Sequence, residues 1–186
     1  MPEIKKIIRG CLAGNKRDQE LLYRRYSAKL YGVSLQYTGS YEDGRDVLQE
    51  SFIKIYTHLH TYSGEGSFEG WMRRIVVNTA LEKHRNRYYL NKVDDLSNIP
   101  EGFDNINISD TTGLEADDLL EFIMKLPPRY RMVFNLYAIE GYTHREIAKM
   151  LSISEGTSKS NLSRARAILQ RKVKKYTGIR KRMINA

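Results

Sequence analysis

The stretch from Gly141 to Arg171 constrains the fold more than any other, because its pattern predicts two helices joined by a tight turn. Thr143 and Glu146 have the spacing of a capping box, which starts a helix, and Ser154 is a favourable N-cap for a second one. The inward stripe of that second helix follows at helical spacing and consists of Ser158, Leu162, Ala165 and Leu169. A short capped helix, a turn and a basic helix are typical of a helix-turn-helix, whose second helix enters the major groove of DNA. The alternative interpretation is a pair of packed surface helices.

The outward face of the second helix carries small hydrogen-bonding groups beside cations. On this face the helical period places Thr157, Ser160 and Arg164, with Lys159 and Arg166 at its flanks. Hydroxyls and a guanidinium suit contact with base edges between phosphates. The pattern therefore indicates that this helix reads duplex DNA.

The overall charge agrees with a nucleic-acid partner. A net charge of +9 and a pI of about 9.6 favour a polyanion, although soluble proteins that bind no nucleic acid are also found at this charge. The single cysteine, Cys11, excludes an intramolecular disulfide and a multi-cysteine zinc site. No apolar run approaches the roughly 18 residues of a membrane span, and no signal-peptide pattern opens the chain. We therefore expect no membrane insertion and a cytoplasmic location.

The distribution of charge divides the chain into three parts. Residues 91–121 hold one basic residue, Lys92, against nine acidic ones, whereas the segments on either side are basic. Proline, glycine and several asparagines also interrupt any helical period there. We predict a basic domain over residues 1–90, an acidic linker over 91–114 and a second basic domain over 115–186.

Helical periodicity also accounts for the beginning of the chain. A short helix over residues 4–12 and a long one ending at Gly39 precede a third helix from about Glu42 to Leu59. Away from the apolar stripe of the third helix lie Asp43, Asp46, Gln49 and Glu50. This acidic patch in a basic domain is either an ordinary solvated face or a docking surface for a basic partner.

A fourth helix is predicted after a glycine-rich loop. Ser67 is its N-cap, and the residues expected to face the core are Phe68, Trp71, Ile75 and Thr79. The residues expected on the opposite side are Arg73, Arg74, Val77, Asn78, Leu81 and Arg85. Cations around an amide, beside a loop that bears Tyr62, suit a single DNA strand with unstacked bases, and Arg74, Asn78 and Arg85 share one stripe. An ordinary solvated basic face is the alternative.

The remaining segments are also helical, so the predicted fold class is all-α. Two helices, the second from Arg129 to Ile139, are separated by Pro127 and Pro128 and precede the helix-turn-helix. Paired strands are not indicated, because the sequence has no Asn-Gly turn between two runs of alternating apolar and polar residues. The basic tail from Tyr176 is expected to fray.

Three motifs occur in order along the chain. They are EDGRDVLQESFIKIY, FEGWMRRIVVNTALEKHR and LPPRYRMVFNLYAIEGYTHREIAKMLSISEGTSKSNLSRAR. With these motifs the chain resembles a bacterial RNA polymerase sigma factor of the extracytoplasmic-function family, over about residues 20–90 and 115–175. In that family the first motif corresponds to the helix that binds core polymerase, and the second to the helix that reads and melts the minus-ten element. The third corresponds to the domain that reads the minus-thirty-five element.

The resemblance implies three sets of site residues, with no active site and no cofactor. Core polymerase would bind Asp46, Gln49 and Glu50. Melted minus-ten DNA would contact Tyr62, Ser67, Arg74, Asn78 and Arg85. The major groove of the upstream promoter duplex would receive Thr157, Lys159, Ser160 and Arg164. An anti-sigma factor is a further expected partner, and the acidic linker would thread the polymerase channel later taken by nascent RNA.

Two positions depart from the family pattern G-T-V-K-S-R-L. Ser158 takes the place of valine on the inward stripe, so we expect it to alter packing more than DNA reading. Asn161 removes a usual positive charge at the edge of the DNA-binding face. The promoter sequence is therefore not expected to match that of a better-known relative.

Other classes of function explain fewer of these features. A conventional helix-turn-helix regulator would bind specific duplex DNA without polymerase, whereas a sigma factor of this size should bind promoters weakly alone. An enzyme acting on nucleic acid would need a catalytic constellation, and metal-ligand spacing is lacking among His58, His60, His84 and His144. An interaction adaptor would leave the basic stripes unexplained.

Overall fold

Both halves of the chain are built from helices. The computed structural model describes residues 2–90 and 115–184, and within those residues it contains no strand. The chain divides into two compact units, residues 1–89 and 90–186. The all-α prediction is confirmed for the described residues.

Four α-helices form the first unit. They are α1 (Pro2–Leu12), α2 (Lys16–Tyr37), α3 (Tyr41–His58) and α4 (Phe68–Leu90), and a 3₁₀ turn at Leu59–Thr61 follows α3. Three of these helices, α2, α3 and α4, begin at side-chain caps, which satisfy backbone N–H groups that have no partner inside the helix. The Asn15 side chain accepts from the backbone N–H of Arg17 at 2.9 Å, and Ser40 Oγ accepts from that of Asp43 at 3.1 Å.

The core of the first unit contains one buried stripe from α2 and one from α3. The buried residues of these stripes are Leu22, Leu30, Val33 and Tyr37 of α2 and Leu48, Phe52 and Ile55 of α3. Gly44 lies where α3 approaches α2, and a Cβ at this position would come within 2.6 Å of Leu35 Cδ2. Glycine therefore allows the two helices to pack closely at this point.

The buried face of α4 differs from the prediction. Val77 and Leu81 were expected to face outward, which is wrong, since they are 2% and 4% exposed. Trp71 and Ile75, expected in the core, are only half-buried. The buried residues of α4 are Phe68, Met72, Val76, Val77, Thr79, Ala80 and Leu81. The apolar face is wider than the predicted stripe, and its centre is shifted by one position along the sequence, to Met72, Val76 and Ala80. The reason is that α4 packs into its unit over a broad part of its circumference.

The described residues of the second unit form four further α-helices. They are α5 (Ala116–Met124), α6 (Pro128–Phe134), α7 (His144–Leu151) and α8 (Glu155–Ile184), and one π-helical turn, Asn135–Ile139, continues from α6. Pro128 occupies the first turn of α6, where its missing N–H has no intrahelical partner to lose. The single helix predicted from Arg129 to Ile139 is thus an α-helix that widens into a π turn.

A buried arginine joins α5 to α6. Arg131 is 6% exposed, and its Nη1 donates to the backbone oxygens of Met124 at 2.6 Å and Leu126 at 3.1 Å. It thereby caps the C-terminal end of α5, where helical carbonyls lack intrahelical donors. Beside it, Leu126 and Tyr130 form a buried cluster with Ala165 of α8.

Replacing this arginine should destabilise the second unit. Arg131→Met keeps much of the buried volume but leaves two buried carbonyl groups without their charged donor, so we expect the free energy of unfolding to fall by about 3 kcal/mol. Thermal and urea unfolding would measure the change, with the exposed Arg145→Met as the control, expected within about 0.5 kcal/mol of wild type. Equal stability of the two variants would contradict the capping role.

The C-terminal part of α8 is anchored rather than frayed. The Tyr176 hydroxyl donates to Asp118 Oδ2 at 2.8 Å, and its ring meets Phe122 edge-on with centroids 5.8 Å apart. The prediction of a frayed tail from Tyr176 is therefore wrong at its first residue, because α5 supplies a partner 58 positions earlier in the sequence. The acidic linker predicted over residues 91–114 lies outside the described residues.

Candidate nucleic-acid interface

The turn between α7 and α8 has the predicted helix-turn-helix geometry. Thr143 Oγ1 accepts from the Glu146 backbone N–H at 3.3 Å, and Glu146 Oε2 accepts from the Thr143 backbone N–H at 2.8 Å. Ser152 adopts a left-handed conformation with φ 54°, and Ser154 Oγ accepts from the Thr157 backbone N–H at 2.9 Å. The capping box and the second N-cap are both confirmed. The side-chain and backbone hydrogen bonds from Thr143 also hold the pKa of Glu146 below its ordinary value.

Three of the predicted upstream DNA residues share an exposed face of α8. Thr157, Ser160 and Arg164 are exposed and lie at positions i, i+3 and i+7 of the helix. Thr157 Oγ1 is 2.8 Å from Ser154 Oγ, and Ser160 Oγ donates to the Thr157 carbonyl at 3.0 Å. Ser160 therefore offers oxygen lone pairs rather than a donor. Arg164 makes no hydrogen bond or ion pair within the described residues, so its guanidinium N–H groups are open for acceptors such as guanine O6 and N7.

Lys159 is exposed on the flank of this face. Residues two positions apart in an α-helix are separated by about 200° around its axis, so Lys159 points well away from Thr157. It lies on the same flank as Arg166, seven positions later. This placement agrees with the flanking position predicted for both residues. A lysine at the edge of a reading face suits a phosphate better than a base edge.

The two departures from the family pattern are both inside the unit. Ser158 is fully buried, as predicted for the inward stripe. Asn161 is 6% exposed, so its predicted place at the edge of the DNA-binding face is wrong. Asn161 belongs to the packed side of α8, where its substitution for a charged residue changes packing and not the surface charge.

Basic residues continue the exposed face of Thr157, Ser160 and Arg164 further along α8. Arg171 and Lys175 are exposed and lie seven and eleven positions after Arg164, on the same side of α8. The sequence prediction assigned neither of them to the DNA contacts. Their spacing of seven and eleven positions from Arg164 could have placed them on the same side of the helix from the sequence alone.

Only part of the outward face predicted for α4 is exposed. Arg74, Asn78 and Arg85 are exposed on one stripe, and none of them has a side-chain partner within the described residues. Arg73, predicted beside them, is half-buried, and its Nη2 donates to Gln36 Oε1 of α2 at 3.4 Å. Arg73 therefore joins α4 to α2 and is not part of the open stripe.

The loop before α4 is built around an aromatic cluster. Tyr62 is half-buried, its hydroxyl donates to the Gly66 carbonyl at 3.0 Å, and its ring lies 4.9 Å from Phe68 and 5.7 Å from Trp71. Ser67 is exposed, and its Oγ accepts from the Gly70 backbone N–H at 3.3 Å. Tyr62 thus shapes the loop and is not a free platform for stacking. The half-exposed Trp71, which the sequence prediction placed in the core, stands at the edge of this cluster.

The acidic patch of α3 is only partly open. Asp46 and Gln49 are exposed, whereas Glu50 is half-buried and accepts from Lys54 Nζ at 3.1 Å and Lys83 Nζ at 3.4 Å. Burial alone would raise the pKa of Glu50, but the hydrogen bonds and charges of Lys54 and Lys83 outweigh it and hold the pKa below its ordinary value. Ile53, 66% exposed, lies on the face of Asp46 and Gln49. The sequence prediction did not include it.

Neither a metal site nor a membrane span is found in the described parts of the chain. No group of three or more His, Cys, Asp or Glu side chains could hold a metal ion there. Within the same residues, no helix has the length and apolar character needed to cross a membrane.

Comparisons with known proteins match both units. The family described as Sigma-70 region 2 matches residues 22–88, and the family described as Sigma-70, region 4, matches residues 116–169. The ECF RNA polymerase sigma-E factor of Haemophilus influenzae is 32% identical over 171 residues, which cover 86% of this chain and 89% of that protein.

Two further matches extend the comparison. The ECF RNA polymerase sigma factor SigE of Mycolicibacterium smegmatis is 28% identical over 163 residues, covering 84% of this chain and 62% of that protein. The chain therefore spans less than two thirds of this relative's length. The solved structure of the sigma factor RpoE in complex with the anti-sigma factor NepR from Bartonella quintana covers 85% of this chain and 98% of that one, with 20% identity and a TM-score of 0.49.

Proposed function

This chain belongs to the extracytoplasmic-function family of RNA polymerase sigma factors, and on that premise we propose that it directs core polymerase to promoters and melts the minus-ten element. The observation that supports this most is the pair of separate open faces, one on α4 and one on α8, each with cations beside neutral hydrogen-bonding groups. One such face would suffice for a duplex-binding regulator. Two of them, with an acidic patch on a third helix, fit an adaptor between polymerase and promoter.

We assign the minus-thirty-five element to α8. Ser160 and Arg164 would meet base edges, with Thr157 beside them, while Lys159 would meet a phosphate at the flank. At 1.5 Å per residue, Arg171 and Lys175 lie about 10 and 16 Å beyond Arg164 along the helix. The major groove is about 12 Å wide, so its edge is only about 6 Å from its centre, and both residues lie beyond it. They would therefore meet phosphates where α8 passes over the backbone.

We assign the melted minus-ten strand to α4 and the loop before it. Arg74 and Arg85 would hold phosphates of the nontemplate strand, and Asn78 between them would contact an unpaired base. The Tyr62 cluster keeps the loop open in front of Ser67, where an extruded base would be received. Extrusion costs a few kcal/mol per base, which these contacts would offset.

We assign the core-polymerase contact to the open part of the α3 patch. Asp46 and Gln49 would dock on a basic surface of the polymerase, and Glu50 would contribute through the orientation of Lys54 and Lys83. The remaining assignments follow from the family. They are a polymerase-binding and minus-ten domain over residues 1–90, a linker over 91–114, an upstream-reading domain over 115–186, no catalytic activity of its own, a cytoplasmic location and an anti-sigma partner.

Dependence on polymerase separates this proposal from a conventional helix-turn-helix regulator. We expect the purified chain alone to bind a promoter duplex weakly, and core polymerase to confer tight, promoter-specific binding that neither component has alone. Electrophoretic mobility shift with and without core enzyme measures this. Tight specific binding by the chain alone, unchanged by core enzyme, would support the regulator instead.

Lys159→Ala should weaken binding to all DNA sequences alike. Loss of one phosphate contact removes about 0.9 from the slope of log affinity against log salt concentration. Holoenzyme affinities for a promoter and for an unrelated duplex, measured over a range of salt concentrations, test this. The control is Lys5→Ala, an exposed lysine of α1. A loss confined to the promoter, with the salt slope unchanged, would mean that Lys159 reads bases.

A further inference from the structure

A histidine at the start of α7 is tied to the first turn of α8. His144 is half-buried, and its Nδ1 lies 2.9 Å from Oγ of Ser158, which is fully buried. The hydrogen bond joins the two helices of the helix-turn-helix through side chains fourteen positions apart. Ser158 is followed directly by Lys159 and Ser160, so this bond fixes the turn of α8 that carries two of the proposed DNA contacts.

The His144 ring is also held from a second side. It stacks on Tyr137 of the π-helical turn, with ring centroids 4.6 Å apart and an interplanar angle of 21°. The Arg166 guanidinium lies 5.7 Å from the centroid of the same Tyr137 ring. The π turn, α7 and α8 therefore meet at His144. This side chain contacts α8 directly through Ser158 and indirectly through Tyr137, whose ring lies beside Arg166.

Burial makes the histidine and the serine depend on each other. A buried hydroxyl without a hydrogen-bond partner is destabilising, so Ser158 on the packed side of α8 needs a partner such as Nδ1 of His144. The family pattern has valine at this position, which needs none. Serine at 158 and histidine at 144 are thus a matched pair, and exchange of either one alone removes the hydrogen bond between them.

We propose that His144 and Ser158 are a positioning pair for promoter reading, which sets how Lys159 and Ser160 meet the upstream DNA. The proposal rests on the proposed function of α8. His144 touches no base in this account. It acts through Ser158 on the helix that does.

Electrostatics gives the pair a signature of its own. Burial first, and then the charges of Lys159 and Arg166, lower the pKa of His144 below its ordinary value, while Glu155 opposes them. A DNA phosphate on Lys159 would offset the effect of that lysine, so the pKa of His144 would be higher in the complex than in the free protein. By linkage, the complex takes up protons, and affinity should rise as the pH falls through the interval between these two pKa values.

The test uses the reconstituted holoenzyme with a random library of upstream elements. Selection with the wild type first defines its preferred sequence, and the variants are then selected from the same library below their melting temperatures. Ser158→Val and His144→Phe, which keeps the ring stack, should each weaken the base preference about fivefold. The double variant, with an apolar residue at both positions, should return to within twofold of wild type, because no polar group is left unsatisfied.

The pH profile is the second measurement. Affinity of the wild-type holoenzyme for its selected duplex should rise from pH 8 to pH 6, and the profile should flatten in His144→Asn, which can keep the hydrogen bond to Ser158 but does not titrate. Single variants with wild-type base preference, or a His144→Asn profile equal to that of wild type, would overturn the proposal. If the wild type enriches no sequence at all, the proposed function itself fails, which is a separate outcome.

Discussion

Holoenzyme assembly should be lost when Asp46 is replaced by arginine. The Asp46 carboxylate is exposed on α3 and has no hydrogen-bond or ion-pair partner within the described residues, so it is available to a basic surface. Reversal of its charge replaces an attraction with a repulsion, and like charges facing each other at an interface cost several kcal/mol. We expect at least about 100-fold weaker binding to core polymerase, which corresponds to about 2.7 kcal/mol. A pull-down with core enzyme at moderate salt measures the loss.

The neighbouring Glu50 calls for a different substitution. An arginine at this position would face Lys54 and Lys83 and disturb the contact of α3 with α4. Glu50→Gln keeps the shape and removes the charge. Asp117→Arg, an exposed position in α5, matches the charge change of Asp46→Arg and serves as its control. Undiminished binding by a folded Asp46→Arg variant would show that the patch is only a solvated face.

Promoter opening should be impaired in Asn78→Ala while upstream binding is retained. Asn78 lies between Arg74 and Arg85 on the exposed stripe of α4, and it is the neutral member that can pair with the edge of an unpaired base. Loss of such a contact shifts the balance between closed and open complexes by about tenfold, or about 1.4 kcal/mol. Permanganate footprinting of thymines in the minus-ten element measures the melted fraction.

Arg74→Ala provides the comparison. Removal of a phosphate contact should weaken binding with a smaller salt dependence, whereas Asn78→Ala should leave the salt dependence unchanged. A footprint over the minus-thirty-five element monitors upstream contact in both variants. Normal melting by Asn78→Ala at a promoter that it fully occupies would remove Asn78 from the minus-ten site.

Local chemistry explains why parts of both units were predictable. The capping box of Thr143 and Glu146 and the N-cap at Ser154 connect residues three positions apart, so the sequence pattern alone predicts their hydrogen bonds. The exposed stripe of Arg74, Asn78 and Arg85 follows from helical period in the same way. These features need no knowledge of the rest of the chain.

Contacts between distant segments account for the differences. Glu50 meets Lys83 of another helix, and Tyr176 meets Asp118 at a separation of 58 positions. Periodicity shows that a helix has an apolar face but not how wide that face is, which is why Val77 and Leu81 were placed outside. The same limit applies to Asn161, whose polar side chain is buried on the packed side of α8.

Transcription with purified components tests the central claim most directly. Core polymerase, this chain and a promoter carrying the sequences that the holoenzyme selects should give RNA that starts at one defined position downstream of the minus-ten element. Neither core enzyme alone nor core enzyme with Asp46→Arg should give that product. Specific initiation that is equally strong without the chain, or specific promoter binding by the holoenzyme without any melting or RNA, would contradict the account.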